Sequence, residues 1–273
     1  TIMAAFLLPE LITESAAHAP HAVALTDGTR QLRYADLAQQ VAAFANGLTA
    51  LNLGRSERVG IYLDKRLETV VASFGAPAAG CVFVPVNPIL KASQVSYILR
   101  DCNVRVLVTS PERLATLAGV LDECHDLQHV VLTSDPGSAV PPARWALHLW
   151  SDLLNQPLHR GHRAIDQDMA AILYTSGSTG QPKGVVLSHR NMVAGAQSVA
   201  SYLKNSSDDV LLAALPLSFD AGFSQLTTAF HVGAQTVLLN YLMPRDVLKA
   251  LDRAGEGAQQ VCITGLIDRK STR

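Results

Sequence analysis

Short apolar runs of five or six residues alternate along the chain with stretches whose apolar positions recur at helical spacing. The first helix is expected over Leu7–Ala19, with Pro9 in its opening turn and Pro20 closing it. Ala22–Thr26 and Gln31–Arg33 read as strands about the turn Asp27-Gly28-Thr29. Tyr34–Leu51 is periodic at Leu37, Val41, Phe44, Ala45 and Leu48, and ends at Asn52 and Gly54. Strands follow at Arg58–Leu63, Cys81–Val86, Val104–Thr109 and His129–Thr133, separated by helices at Leu67–Gly80, Lys91–Asp101 and Leu114–Cys124. Trp145–Arg163 is weakly patterned and reads as a short helix and a connection.

Met169–Leu173 and Val185–Leu187 are short enough to be buried strands. Beyond them come a helix from Ser188 to about Leu203, a strand at Val210–Ala214, a helix at Ala221–Val232 and a strand at Thr236–Leu239. A helix at Arg245–Arg253 and a last strand at Gln260–Thr264 follow. Strands alternating with helices in this way define an α/β fold of mostly parallel, βαβ-built sheets covered by helices.

Composition narrows the class. The 273 residues are 48% hydrophobic and 16% charged, so the chain can bury a sizeable core and is not disordered. A net charge of −1 gives no bulk field for nucleic acid or an anionic membrane surface. Thr69–Leu90 carries no charge, but Gly75, Pro77, Gly80, Pro85 and Pro88 break it into helix, strand and turn rather than a membrane span. Cys81, Cys102, Cys124 and Cys262 lack CxxC spacing and read as reduced thiols without a zinc site, and no signal peptide is evident, so a cytoplasmic location is expected.

Between the two short strands lies Tyr174-Thr175-Ser176-Gly177-Ser178-Thr179-Gly180-Gln181-Pro182-Lys183-Gly184. Glycines allow tight turns and bring amide N–H groups near a ligand. Four hydroxyls and Lys183 add donors and one cation, with no acid among them, which describes a phosphate cradle. The P-loop NTPase pattern does not fit, because it needs Gly-Lys-Ser/Thr leading into a helix, whereas Lys183 stands between Pro182 and Gly184. A solvated loop lysine is the plainer alternative for Lys183.

The eleven-residue stretch resembles, residue for residue, the signature of AMP-forming adenylate enzymes. These include acyl-CoA ligases, peptide-synthetase adenylation domains and luciferases. Leu32-Arg33-Tyr34-Ala35-Asp36-Leu37 resembles an early, structural motif of the same family. The resemblance implies the large N-terminal domain of such enzymes and ATP-dependent activation of a carboxylic acid to an acyl-AMP. Pyrophosphate leaves, and the acyl group passes to CoA or to a carrier-protein phosphopantetheine. It also implies phosphate contacts from Thr175, Ser176, Gly177, Ser178, Thr179, Gly180, Lys183 and Gly184, with Lys183 as the catalytic residue. Mg²⁺ is expected with ATP, its protein ligand lying later in the family's sequence.

Ala213-Ala214-Leu215-Pro216-Leu217-Ser218-Phe219-Asp220 resembles the family's acyl-pocket segment. Phe219 and Asp220 are candidate substrate contacts, and Phe-Asp here resembles peptide-synthetase domains, where the Asp pairs with the substrate amino group. The alternative is that Asp220 caps the following helix. His189, at a helix start, is read as structural or solvated in preference to catalytic.

No Tyr-Gly-x-Thr-Glu or Thr-Gly-Asp segment of the family is found, nor its hinge or small C-terminal domain with a catalytic lysine. Residues 1–266 are thus expected to be an incomplete AMP-binding domain, with subdomains at 1–165 and 166–266, and 267–273 a polar, basic tail. Such a chain is expected to be weak or inactive alone. A half-length nucleotide-binding module with a separate partner, or an inactive remnant, are the alternatives.

Overall fold

The computed structural model describes residues 5–137, 143–158, 161–175, 182–240 and 247–248, and the backbone of 260–262. In chain order the elements are α1 (Glu10–His18), β1 (Val23–Asp27), β2 (Arg30–Arg33), α2 (Tyr34–Ala50), β3 (Arg58–Tyr62), α3 (Leu67–Ala78) and β4 (Val82–Pro85). Then follow α4 (Ala92–Asp101), β5 (Val104–Thr109), α5 (Pro111–Thr116), β6 (His129–Leu132), β7 (Ala146–Leu149) and α6 (Trp150–Leu154). The remainder is β8 (Met169–Thr175), β9 (Lys183–Ser188), α7 (His189–Leu203), β10 (Asp209–Ala213), α8 (Asp220–Val232), β11 (Gln235–Leu238) and β12 (Gln260–Cys262). Most of the expected helix at Arg245–Arg253, and the end of the last expected strand, lie outside the described residues. Among the described residues no helix is long and apolar enough to cross a membrane.

The chain forms two compact units. One comprises residues 1–5, 10–38 and 191–273, and is built on a sheet of order β12-β10-β11-β1-β2. Its pairings are parallel except β1 with β2, the hairpin turned at Gly28 with φ +60°. Side chains lock α1 and α2 to α8 and to the turn that follows it. The buried Tyr34 hydroxyl donates to the Ala234 carbonyl at 2.6 Å, and the Ser15 hydroxyl donates to the Phe230 carbonyl at 2.6 Å.

The other unit comprises residues 6–9 and 39–190, and holds a sheet of order β7-β6-β5-β3-β4-β8-β9. All its pairings are parallel except β8 with β9. The connection from β3 leads to β4 on one side, and the next leads to β5 on the other. The sheet therefore has a switch point at β3. α3 is buried along nearly its whole length, which explains its lack of charge from Thr69 onward. Gly75 in this helix is required by contact, since a Cβ there would stand 2.6 Å from the Phe44 ring. α4 buries Val95, Ser96, Ile98 and Leu99 against a core that includes Leu107, Val130 and Tyr174.

Three expectations change. The helix expected at Leu114–Cys124 is instead α5 followed by a short 3₁₀ turn at Leu121–Glu123. Ser110 caps α5 early, with Pro111 in its first turn, and Gly119 interrupts the path with φ +88°. β7 appears where a connection was expected. Val185 and Val186 are not buried: they lie 44% and 54% exposed on an edge strand.

Candidate functional site

β8 and β9 form an antiparallel hairpin whose connecting segment is the glycine-rich stretch. The strands run further into the motif than their apolar residues indicate, pairing Leu173 with Val185, Tyr174 with Gly184 and Thr175 with Lys183. Because β8 runs parallel to β4, the connection leaves from the carboxyl edge of the parallel sheet. That edge is where ligands of open α/β sheets bind. Ser176, Gly177, Ser178, Thr179 and Gly180 lie outside the described residues; Thr175, Lys183 and Gly184 are described. Thr175 and Lys183 are both exposed at the mouth of the hairpin, and Lys183 has no ion-pair partner among the described residues.

Sequence reasoning missed what holds this hairpin. Tyr174 is buried, and its hydroxyl donates to the Asp101 carboxylate on α4 and lies 3.3 Å from Cys102 Sγ. Burial, followed by the bond to Asp101, pushes the Tyr174 phenol far above its ordinary value, so it remains a donor. On the facing strand Gly184 leaves room for the same ring: a Cβ there would stand 3.3 Å from Tyr174 Cζ and 2.7 Å from Ile172 Cγ2. The hydroxyl of half-buried Tyr97 donates to the Pro182 carbonyl at 3.3 Å. Tyr97 and Asp101 are four residues apart on α4, a spacing that places them on one helix face. That spacing was the available sequence signal.

His189 has a structural role. It is buried, and its Nδ1 accepts from the Leu8 backbone N–H at 3.0 Å. The start of α7 is further held by Arg190, which pairs with Asp166 at 2.6 Å.

Phe219 and Asp220 belong to the unit built on β10, where the chain turns from that strand into α8. Phe219 is the N-cap residue and makes no side-chain capping bond; Asp220 is the first helical residue. Both are exposed, and the Asp220 side chain makes no hydrogen bond or ion pair with another described residue. Gln225, fully buried, spans the turn behind them: Oε1 accepts from Leu215 N at 3.2 Å and Nε2 donates to Leu212 O at 3.1 Å. No group of three or more His, Cys, Asp or Glu side chains among the described residues is placed to hold a metal ion.

The hairpin thus sets a Gly/Ser/Thr-rich sequence and a strand-borne lysine at the edge where ligands of open α/β sheets bind. The chain belongs to the AMP-binding enzyme family, whose model matches residues 12–255. It is 31% identical over 257 residues to a linear gramicidin synthase of Brevibacillus parabrevis, covering 94% of this chain and 3% of that protein. It is 30% identical over 243 residues to the L-proline–[L-prolyl-carrier protein] ligase of Pseudomonas fluorescens, covering 85% of this chain and 45% of the ligase. The chain therefore spans less than half the length of these curated relatives. Its fold is similar to that of the anthranilate CoA ligase AuaEII solved with anthranoyl-AMP. That comparison has a TM-score of 0.78 and 24% identity, and covers 90% of this chain and 48% of the ligase.

Proposed function

We propose that this chain carries the phosphate-binding part of an enzyme that activates an amino acid as its acyl-AMP and passes it to CoA or a carrier-protein thiol. The observation that carries the reading is the hairpin mouth, where exposed Lys183 pairs across the strands with Thr175 and bounds the glycine-rich connection. In the proposed step the substrate carboxylate attacks the α-phosphorus of ATP. A new O–P bond forms, the bond to the bridging oxygen breaks, and pyrophosphate leaves with that electron pair. Lys183, the hydroxyls of Thr175, Ser176, Ser178 and Thr179, and the amides of Gly177, Gly180 and Gly184 offset charge on the β and γ groups as it builds. Mg²⁺, when bound, would shield the phosphates; the described residues offer no group of three or more His, Cys, Asp or Glu side chains for it.

The amino-acid preference rests on Asp220. It stands exposed at the first position of α8 without a partner among the described residues, so it is open to an ammonium group and is not spent on a cap. The relatives named for gramicidin synthesis and prolyl transfer support the same class.

The test is carboxylate-dependent ATP–pyrophosphate exchange by this chain with amino acids and fatty acids. Slow exchange with an amino acid is expected, lost in Lys183→Ala and reduced in Asp220→Ala. Exchange with fatty acids alone overturns the amino-acid assignment, and exchange untouched by Lys183→Ala overturns the phosphate site. No exchange, with ATP still bound, places the chemistry in a larger assembly of which this chain supplies the nucleotide module.

A further inference from the structure

Two contacts from a single helix face reach the two sides of the glycine-rich connection. Tyr174, which enters it, is held by Asp101; Pro182, which leaves it, is held by Tyr97. The Tyr174 ring is also confined by the bare backbone of Gly184 opposite. The core contacts of α4 come from Val95, Ile98 and Leu99, with the Tyr97 ring packed against the same cluster, and the two hydrogen bonds are additional to that packing. We infer that Tyr97 and Asp101 are positioning residues that fix Tyr174 and Pro182, so that Thr175 and Lys183 at the mouth of the hairpin are set before nucleotide arrives. The inference rests on the reading of that connection as a phosphate site.

The physical reason is entropic. A glycine-rich segment loses more conformational freedom on ordering than any other, and that loss is subtracted from binding. Fixing both ends meets part of the cost in the free protein. Both residues act through Tyr174 and Pro182, so the role is one of positioning and not of catalysis.

Charge gives the hypothesis a test of sign. Asp101 is an exposed carboxylate beside the hairpin that would take a polyanion. Were it a bystander, Asp101→Ala would remove repulsion and leave MgATP binding equal or tighter. As a positioning residue, its loss must weaken binding although a negative charge has gone. Asp101→Asn keeps an acceptor for the Tyr174 hydroxyl and should rescue. Tyr97→Phe removes only the hydroxyl on Pro182, at a half-buried position where the fold is expected to persist.

The experiment is titration of this chain and its variants with MgATP, together with amide hydrogen exchange of Thr175, Lys183 and Gly184 without nucleotide, each variant first checked by thermal melting. Tyr97→Phe and Asp101→Ala should each weaken MgATP roughly 5- to 10-fold, the weight of one hydrogen bond, and hasten exchange at the three amides. Asp101→Asn should stay within about twofold of the parent. Unchanged affinity and exchange in Tyr97→Phe, or tighter binding by a folded Asp101→Ala, overturns the proposal. If the parent chain binds no MgATP, the phosphate reading falls and the inference with it. That result is distinct from a parent that binds and variants that bind equally well, which removes the positioning role alone.

Discussion

A Cβ placed on Gly222 would stand 2.0 Å from the Pro216 carbonyl oxygen, and 2.7 Å from its carbonyl carbon. The first turn of α8 thus folds directly onto the backbone that leads to Phe219 and Asp220, and only glycine permits it. Gly222→Ala is expected to cost about 1–3 kcal/mol or more, because backbone cannot yield as a flexible side chain does. A urea melt measures the loss. An Asp220-dependent amino-acid preference should weaken with it.

Gln225 offers a donor and an acceptor to the same turn. Gln225→Met keeps the volume but removes two side-chain hydrogen bonds to this turn, one from Leu215 N and one to Leu212 O, which still accepts from Ala214 N at 3.0 Å. A loss of about 1–3 kcal/mol in all is expected. Chemical denaturation of the variant should show a lowered midpoint with an unchanged slope. A midpoint equal to the parent's would mean that the two backbone groups find other partners.

Gly184→Ala tests the hairpin itself. The added methyl meets Ile172 Cγ2 at 2.7 Å and the Tyr174 ring at 3.3 Å, and neither can rotate freely away. A loss of roughly 1–3 kcal/mol is expected from the overpacking. Displacing the Tyr174 ring should also weaken MgATP binding. Full retention of nucleotide affinity would separate the ring from the site.

His129 and His148 face each other on β6 and β7, with Nδ1 and Nε2 3.1 Å apart. Burial holds both below the ordinary histidine value, and the second ring adds to this at His129; Glu57 and Asp152 act in the opposite sense on His129 and His148 respectively. A group whose folded value is depressed charges first in the unfolded chain. Their contribution is therefore complete above about pH 6.5, the unfolded value, and declines as pH falls below it toward the folded values. Melting temperatures from pH 7.5 to 5 should show this decline, and it should be shallower in His148→Gln. Equal slopes in parent and variant would exclude the pair as its source.

Much of this architecture is written in local pattern. Val104–Thr109 is six residues of strand with apolar residues at four positions, and β5 has those bounds. The helical period at Leu37, Val41, Phe44 and Leu48 marks side chains that are all buried. What escaped depended on contacts between distant segments. β7 shows a weak pattern because half its residues are exposed at a sheet edge. Thr175 and Lys183 belong to strands, although their side chains suit a loop, because backbone pairing leaves no trace in hydrophobicity. The glycine-rich motif itself was legible, whereas the support from Tyr97 and Asp101 was not. Their four-residue spacing marks a shared helix face but does not say what that face touches.

The outermost strand of the seven-stranded sheet carries Lys183 at one end and presents Val185 and Val186 to solvent. Among the described residues no strand pairs with it on its outer side. A strand of this kind is a template for another. A polypeptide that added to β9 would stiffen the strand that carries Lys183, so on the proposed reading completing the sheet would also tune the hold on phosphate. For this chain by itself, protein concentration becomes a variable of function: self-association through that edge would register as a change in nucleotide affinity on dilution.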